Sequence, residues 1–363
     1  MNRISPGDIL RRVGNQQVFT YEKARNAILS QPGNIIGLSF ERTGADPELA
    51  ALERIPSILN TRFRSSNQLI GSYTDKGRRQ YNEDRLIRKA YGGSERKVCV
   101  AGVFDGHGGA SASEFASSNF FPSFEEIFKN PELRSRVEGD DGAVLNKAWS
   151  NICQQWVEGC SVDDEDCGAE YDSLFGIVKG FVSSREIPSG TTVSMGMVNA
   201  EGDIFLLNCG DSRSVVYNGS GEIKLRTVDH KPDDEREVER LVDAGFARPE
   251  CTAGGNTRIN VQLKNEVYQY GVSRSLESGK AIMDAGISNE AEIFAGKGGG
   301  GDFVVIGTDG FWDVFDNTNA GYFCSQLLAD KIKSLDEIAA TMCVEALRLG
   351  STDNVSVVVM LVK

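Results

Sequence analysis

Histidine is almost absent from this chain of 363 residues: only His107 and His230 occur. A zinc centre built on several imidazoles is therefore excluded, and each histidine is worth following individually. Basic runs are missing too. The formal net charge is −13, which argues against nucleic-acid or anionic-membrane partners. No apolar stretch approaches the length needed to span a bilayer, and Met1 to Arg12 lacks the apolar core of a signal peptide. Eight cysteines could form disulfides, yet Cys99, Cys209, Cys324 and Cys343 sit inside apolar runs. Cys153, Cys160 and Cys167 have no second cluster or histidine near them to complete a zinc site. Reduced thiols in an intracellular, cytoplasmic protein are expected.

What the chain does have is acid at the ends of apolar runs. Glu83-Asp84, Asp105-Gly106-His107-Gly108-Gly109, Gly210-Asp211-Ser212-Arg213, Asp309-Gly310-Phe311-Trp312-Asp313 and Asp353-Asn354 all follow this pattern. Val98 to Phe104 and Phe303 to Ile306 read as buried strands, with Asp105 and Asp309 just beyond them. Phe205 to Leu207 ends near Asp211, and Val355 to Val359 begins after Asp353. Strand ends from one sheet can gather these carboxylates, and such a cluster needs cations. Hard oxygen ligands imply Mg²⁺ or Mn²⁺.

A single Asp-Gly after a strand is an ordinary turn; the repetition at Asp105 and Asp309 gives the pattern its weight. Asp211 fits a plain hairpin turn equally well. His107, two residues from Asp105, suits a proton donor near neutral pH, whereas His230 reads as a turn or capping residue. Arg79 precedes Glu83 by four residues, and a guanidinium can take two phosphate oxygens at once; Arg78 is the neighbour that could be confused with it. Phe311 and Trp312 read as packing that fixes Asp309 and Asp313.

Residues 1–43 read as a unit, with 44–65 as a linker. Gly7-Asp8 leads into short strands, Thr20 caps a helix carrying Ala24, Ala27 and Ile28, and Ile36, Leu38 and Phe40 alternate as a strand. This order resembles the second half of a PDZ domain, without the glycine-rich loop and the strand on which a peptide pairs. Either the chain is truncated upstream or the piece docks on the larger domain.

Strand candidates from 66 to 363 are Gln68 to Ser72, Arg85 to Lys89, Lys97 to Phe104, Thr191 to Val198, Asp203 to Cys209, Ser214 to Tyr217, Phe303 to Gly307 and Val355 to Val362. The fourth alternates as a half-buried strand would. Helices are expected at Ala110 to Phe121, Ala143 to Val157, Asp233 to Ala244 and Leu335 to Leu349, the last with a capping box in Ser334 and Glu337. Gly159 to Tyr171 reads as a solvated loop.

Taken together, Asn82-Glu83-Asp84, Val103 to Gly109, Ser189-Gly190-Thr191-Thr192, Cys209 to Arg213, Asp229 to Pro232, Val272 to Leu276, Asp309 to Asp313 and Ser351 to Asn354 are similar, in order, to the type 2C (PPM) metal-dependent serine/threonine protein phosphatases. The resemblance implies an α+β fold over residues 66–363: a β-sandwich of two antiparallel sheets flanked by helices, in α-β-β-α layers. It implies two Mg²⁺ or Mn²⁺ ions with a weaker third. Asp105 would bridge the pair, the Gly106 carbonyl would help hold one ion, Asp309 and Asp353 would hold the other, and Glu83 and Asp84 would act through water. Asp211 and Asp313 match the weaker site, Arg79 the phosphate-binding arginine and His107 the general acid. Phosphorylated proteins are the implied partners of a monomeric enzyme. The alternative is a pseudophosphatase or scaffold, whose usual mark, a lost metal aspartate, is not seen; a nuclease would need a basic groove. One departure stands out. The family's Ser-Arg-x-x-Gly-Asp reads Ser273-Arg274-Ser275-Leu276-Glu277-Ser278 here, which puts the loop Gly279 to Gly286 in question.

Overall fold

The computed structural model describes residues 68–362 apart from 93–97, 138, 161–169, 173–176, 180–188, 253–254, 264–265, 279 and 331–332, and also residues 8–13, 16–17 and 38–42. The chain divides into two compact units, Met1–Thr61 and Arg62–Lys363. In the first, Asp8–Val13 pairs antiparallel with Gln16–Gln17 and with Leu38–Arg42. The helix expected after Thr20 lies outside the described residues.

The second unit is built on two five-stranded antiparallel sheets. In chain order its main elements are β1 (Ile70–Asp75), β2 (Arg85–Tyr91), β3 (Val98–Phe104), α1 (Ser111–Lys129), α2 (Asp141–Cys160), β4 (Val193–Val198), β5 (Asp203–Cys209), β6 (Arg213–Tyr217), β7 (Ile223–Arg226), α3 (Glu235–Asp243), β8 (Thr257–Leu263), β9 (Glu266–Tyr270), β10 (Glu292–Lys297), β11 (Phe303–Gly307), α4 (Asn317–Ala329), α5 (Leu335–Arg348) and β12 (Val355–Leu361). One sheet runs β10-β5-β4-β3-β2, the other β7-β6-β11-β12-β1.

Alternation along the strands explains the layering. On β3, Cys99, Ala101 and Val103 meet Ile306, Val358 and Met360 of the other sheet. Val100 and Phe104 point the opposite way, under Phe115, Phe120 and Trp149 of α1 and α2. On β11 and β12, Val305, Val357 and Val359 face Ile338, Met342 and Cys343 of α5. The α-β-β-α sandwich expected from the sequence is what forms. The capping box forms as well: Ser334 accepts from the Glu337 N–H, and the Glu337 carboxylate accepts from the Ser334 N–H.

β4 departs from expectation. It is buried on both faces, because its polar side is folded against the sister sheet, where the Ser194 and Ser214 hydroxyls bond at 2.8 Å. Helix α1 continues past the expected Phe121, through Pro122, to bury Phe124 and Ile127. Helix α2 runs on to Cys160, residues 161–169 of the expected solvated loop lie outside the described residues, and Glu170–Asp172, at its end, pairs with Ile177–Lys179. β8 and β9 form a hairpin beside α3, with a small core of Leu241, Ile259, Val261, Tyr270, Ile282 and Ile287.

Candidate active site

At one end of the sandwich lies a cavity of about 720 Å³. It is lined by Arg79, Glu83, Asp105, Gly106, His107, Asp211, Asp309, Asp313 and Asp353, so all the sequence-predicted site residues except Asp84 share it. Strand ends deliver them. Asp105 follows β3, Asp211 joins β5 to β6, Asp309 follows β11 and Asp353 precedes β12. Asp309 opens a single helical turn, Asp309–Trp312, anchored by buried Phe311 and Trp312. The Trp312 indole N–H donates to the Arg213 and Gly307 carbonyls. The Asp309 turn and the Asp353 loop are pressed together: a Cβ on Gly310 would lie 2.0 Å from the Asn354 carbonyl oxygen. Asn354 ties in a third loop by accepting from the Glu83 N–H at 2.8 Å. The Glu83 carboxylate accepts from the Gly109 N–H at 2.8 Å.

Carboxylate oxygens of Asp105, Asp211 and Asp309 all lie within 4.8 Å of one another. Burial pushes Asp105 and Asp309 well above the usual carboxylate range, and their acidic neighbours push further, chiefly Asp309 on Asp105 and Asp211 on Asp309. Burial also raises Asp211, against the pull of Lys231, whose Nζ is 3.5 Å away. Asp84 sits behind the cavity. Its Oδ2 accepts from the Thr308 and Ser356 hydroxyls at 3.1 and 2.6 Å, while its Oδ1 is buried with no hydrogen-bond partner among the described residues. Burial raises Asp84 to about 7; the two hydroxyls oppose the shift and Asp353 adds to it. Crowded acids and an orphaned carboxylate oxygen are what a hard divalent cation would relieve, so the donor set fits Mg²⁺ or Mn²⁺.

Arg79 and His107, the two basic residues expected at the site from the sequence, line the cavity as well. The Arg79 guanidinium, 58% exposed, rests 2.6 Å from Asp353. His107 Nε2 lies 2.7 Å from Glu277 Oε1. Burial alone would lower His107, but the Glu277 carboxylate outweighs it and the net shift is upward. His230 is elsewhere and structural: it is buried, and its Nδ1 accepts from the Gly210 N–H at 3.1 Å.

A family model for "Protein phosphatase 2C" matches residues 70–355. The chain belongs to the protein phosphatase 2C family. The family match begins at residue 70 and lends no support to a PDZ-like reading of the first 43 residues. "Probable protein phosphatase 2C 59" of Oryza sativa subsp. japonica is 28% identical over 80% of this chain and 74% of its own length. Bos taurus "Protein phosphatase 1B" is 27% identical over 70% of this chain, which spans about half of that relative (48%). Among solved structures, a serine-threonine phosphatase 2C from Toxoplasma gondii superposes with a TM-score of 0.63 at 20% identity, covering 83% of this chain and 97% of that one; this likeness carries the fold.

Three features of this phosphatase 2C site are not apparent from the sequence. Lys231, next to His230, reaches both Asp211 and Asp313, the latter at 4.0 Å. The β8–β9 hairpin brings Arg258, Tyr268 and Tyr270 to the cavity wall. Glu277, which in the sequence is only a departure from a motif, touches His107.

Proposed function

We propose that the domain is an active Mg²⁺- or Mn²⁺-dependent phosphatase that hydrolyses phosphoserine and phosphothreonine in proteins. The observation that carries this reading is the cluster of Asp105, Asp211 and Asp309, whose carboxylate oxygens lie within 4.8 Å of one another and open on one cavity with Arg79 and His107. Asp105, the Gly106 carbonyl, Asp309 and Asp353 would hold two cations, with Glu83 and Asp84 acting through water, and Asp211 and Asp313 would hold a weaker third. Bound there, the ions supply an activated water and offset the charge of the phosphoryl group. Arg79 binds the phosphoryl oxygens, and to do so it leaves Asp353. Its largely exposed side chain permits that exchange. His107 gives its proton to the departing Ser or Thr oxygen as the P–O bond breaks. No side chain is covalently modified.

Every metal aspartate that the family resemblance calls for is present in the sequence, which favours catalysis over a pseudophosphatase role. The catalytic domain is proposed as residues 66–363, behind a linker at 44–65 and the small unit at 1–43, in a monomer whose partners are phosphoproteins. No helix of the described residues is long and apolar enough to cross a membrane. Free thiols at Cys153, Cys209, Cys251 and Cys343 suit a cytoplasmic setting. Asp105→Asn tests the ligand assignment. Turnover should fall at least about a hundredfold with the fold retained; near-normal turnover at saturating Mn²⁺ would remove Asp105 from the site.

A further inference from the structure

Three two-residue strands, Gly106–His107, Gly190–Thr191 and Leu276–Glu277, form a short ladder beside the cavity. Gly190 is the central rung, paired with His107 on one side and Glu277 on the other. Side chains of paired residues project to the same face, so a side chain at 190 would stand between the other two. A Cβ there would lie 2.3 Å from His107 Nε2 and 2.4 and 2.5 Å from the Glu277 carboxylate oxygens. The contact between His107 and Glu277 exists because residue 190 has no side chain.

The two partners have unlike surroundings. The Glu277 side chain is fully buried, while that of His107 is 32% exposed and lines the cavity. Glu277 Oε1 also accepts from the Ser275 hydroxyl, and Oε2 has no hydrogen-bond partner among the described residues. The Tyr270 ring meets the imidazole edge-on, with centroids 6.2 Å apart. A buried carboxylate is costly to keep, and among the described residues the basic ring in contact with this one is His107. Residue 277 is also where the family pattern Ser-Arg-x-x-Gly-Asp has its glycine, so this carboxylate belongs to this chain's own sequence and not to the shared motif.

We propose that Glu277 is a positioning residue for His107: its carboxylate accepts from Nε2–H, fixes the ring, and leaves Nδ1 as the nitrogen that faces the substrate. The inference rests on the reading of His107 as the general acid. In that step the P–O bond breaks with its electron pair passing to the Ser or Thr oxygen. The Nδ1 proton moves to that oxygen, and neutral His107 keeps its Nε2–H on Glu277. Orientation of this kind matters most for leaving groups that need a proton, and p-nitrophenolate does not.

The test compares the Mn²⁺-loaded full chain with His107→Ala, Glu277→Ala, the double variant and Glu277→Gln, on a phosphothreonine peptide and on p-nitrophenyl phosphate. Glu277→Ala should lower kcat on the peptide by roughly tenfold to a hundredfold with little change in KM, and should cost much less on p-nitrophenyl phosphate. The double variant should be no worse on the peptide than His107→Ala alone. Glu277→Gln, which can still accept from Nε2–H, should recover part of the loss and guards against a simple folding defect. Gly190→Ala should behave like Glu277→Ala. Additive losses in the double variant, or equal losses on the two substrates for Glu277→Ala, would overturn the positioning role while leaving His107 as the acid. Equal losses on both substrates for His107→Ala itself would overturn the acid assignment, and the positioning role with it.

Discussion

In EDTA, the catalytic domain is expected to lose thermal stability as the pH rises from 5 to 8, the reverse of what its many ordinary acids would give. Asp84 sets the magnitude. Its carboxyl moves from 3.8 to about 7, first through burial, with Asp353 adding to the shift and the Ser356 and Thr308 hydroxyls opposing it. An acid whose folded-state pKa is raised contributes stability that is complete below its unfolded value and is lost as the pH passes through the folded value. Each pH unit in that window is about 1.4 kcal/mol, so Asp84 alone accounts for roughly 2–3 kcal/mol between pH 5 and pH 7. In a domain of about 300 residues that is a fall in Tm of roughly 3–5 °C. Asp105, Asp211, Asp309 and His107 are all raised and act in the same direction. Glu237, lowered to about 2 by Arg274 and Ser273 in spite of its burial, is ionised throughout and does not interfere. Mn²⁺ should reverse the slope, because its ligands must be deprotonated to bind, and its stabilisation should grow with pH. Calorimetry at pH 5, 6, 7 and 8, in EDTA and in Mn²⁺, reads both effects. A metal-free Tm that stays flat or climbs across this range would mean that these acids are not raised in the folded state.

Asp309→Asn should leave the circular dichroism spectrum intact and reduce turnover on the order of a hundredfold or more, with weakened stabilisation by Mn²⁺ in a melting assay. Gly310→Ala should be severe in spite of its small size, because the new methyl group would meet the Asn354 carbonyl oxygen at 2.0 Å. We expect a loss of several °C in Tm together with weaker Mn²⁺ binding, both measured on the purified variant. Deleting residues 1–64 should leave Mn²⁺-dependent turnover of p-nitrophenyl phosphate largely unchanged; a steep fall would make the N-terminal unit an integral part of catalysis.

The site is legible in the sequence wherever local signals carry it. β3 and β11 are apolar throughout, so the acids that end them, Asp105 and Asp309, are readable as strand-end residues from sequence alone. The edge strands are less visible. Ile223–Arg226 and Glu292–Lys297 carry charges and are only partly buried, and a strand with one free side need not be apolar. Helix α4 has few buried residues, although its cap, Asp316 accepting from the Asn319 N–H, is a readable signal. The β8–β9 hairpin escapes a sequence reading despite the alternation of Ile259, Val261 and Leu263, because its core is small and borrowed from α3. The contact between His107 and Glu277 spans 170 positions and depends on a ladder through Gly190. No local pattern encodes a pairing of that kind.

The central claim, that these acids serve phosphoester hydrolysis through bound cations, is tested most directly by one titration. Release of phosphate from a phosphothreonine peptide is measured on the full chain after EDTA treatment, and again as Mn²⁺ is added back. That claim requires negligible turnover in EDTA and full recovery with Mn²⁺, steeper at pH 8 than at pH 6. Turnover that persists in excess EDTA would contradict it.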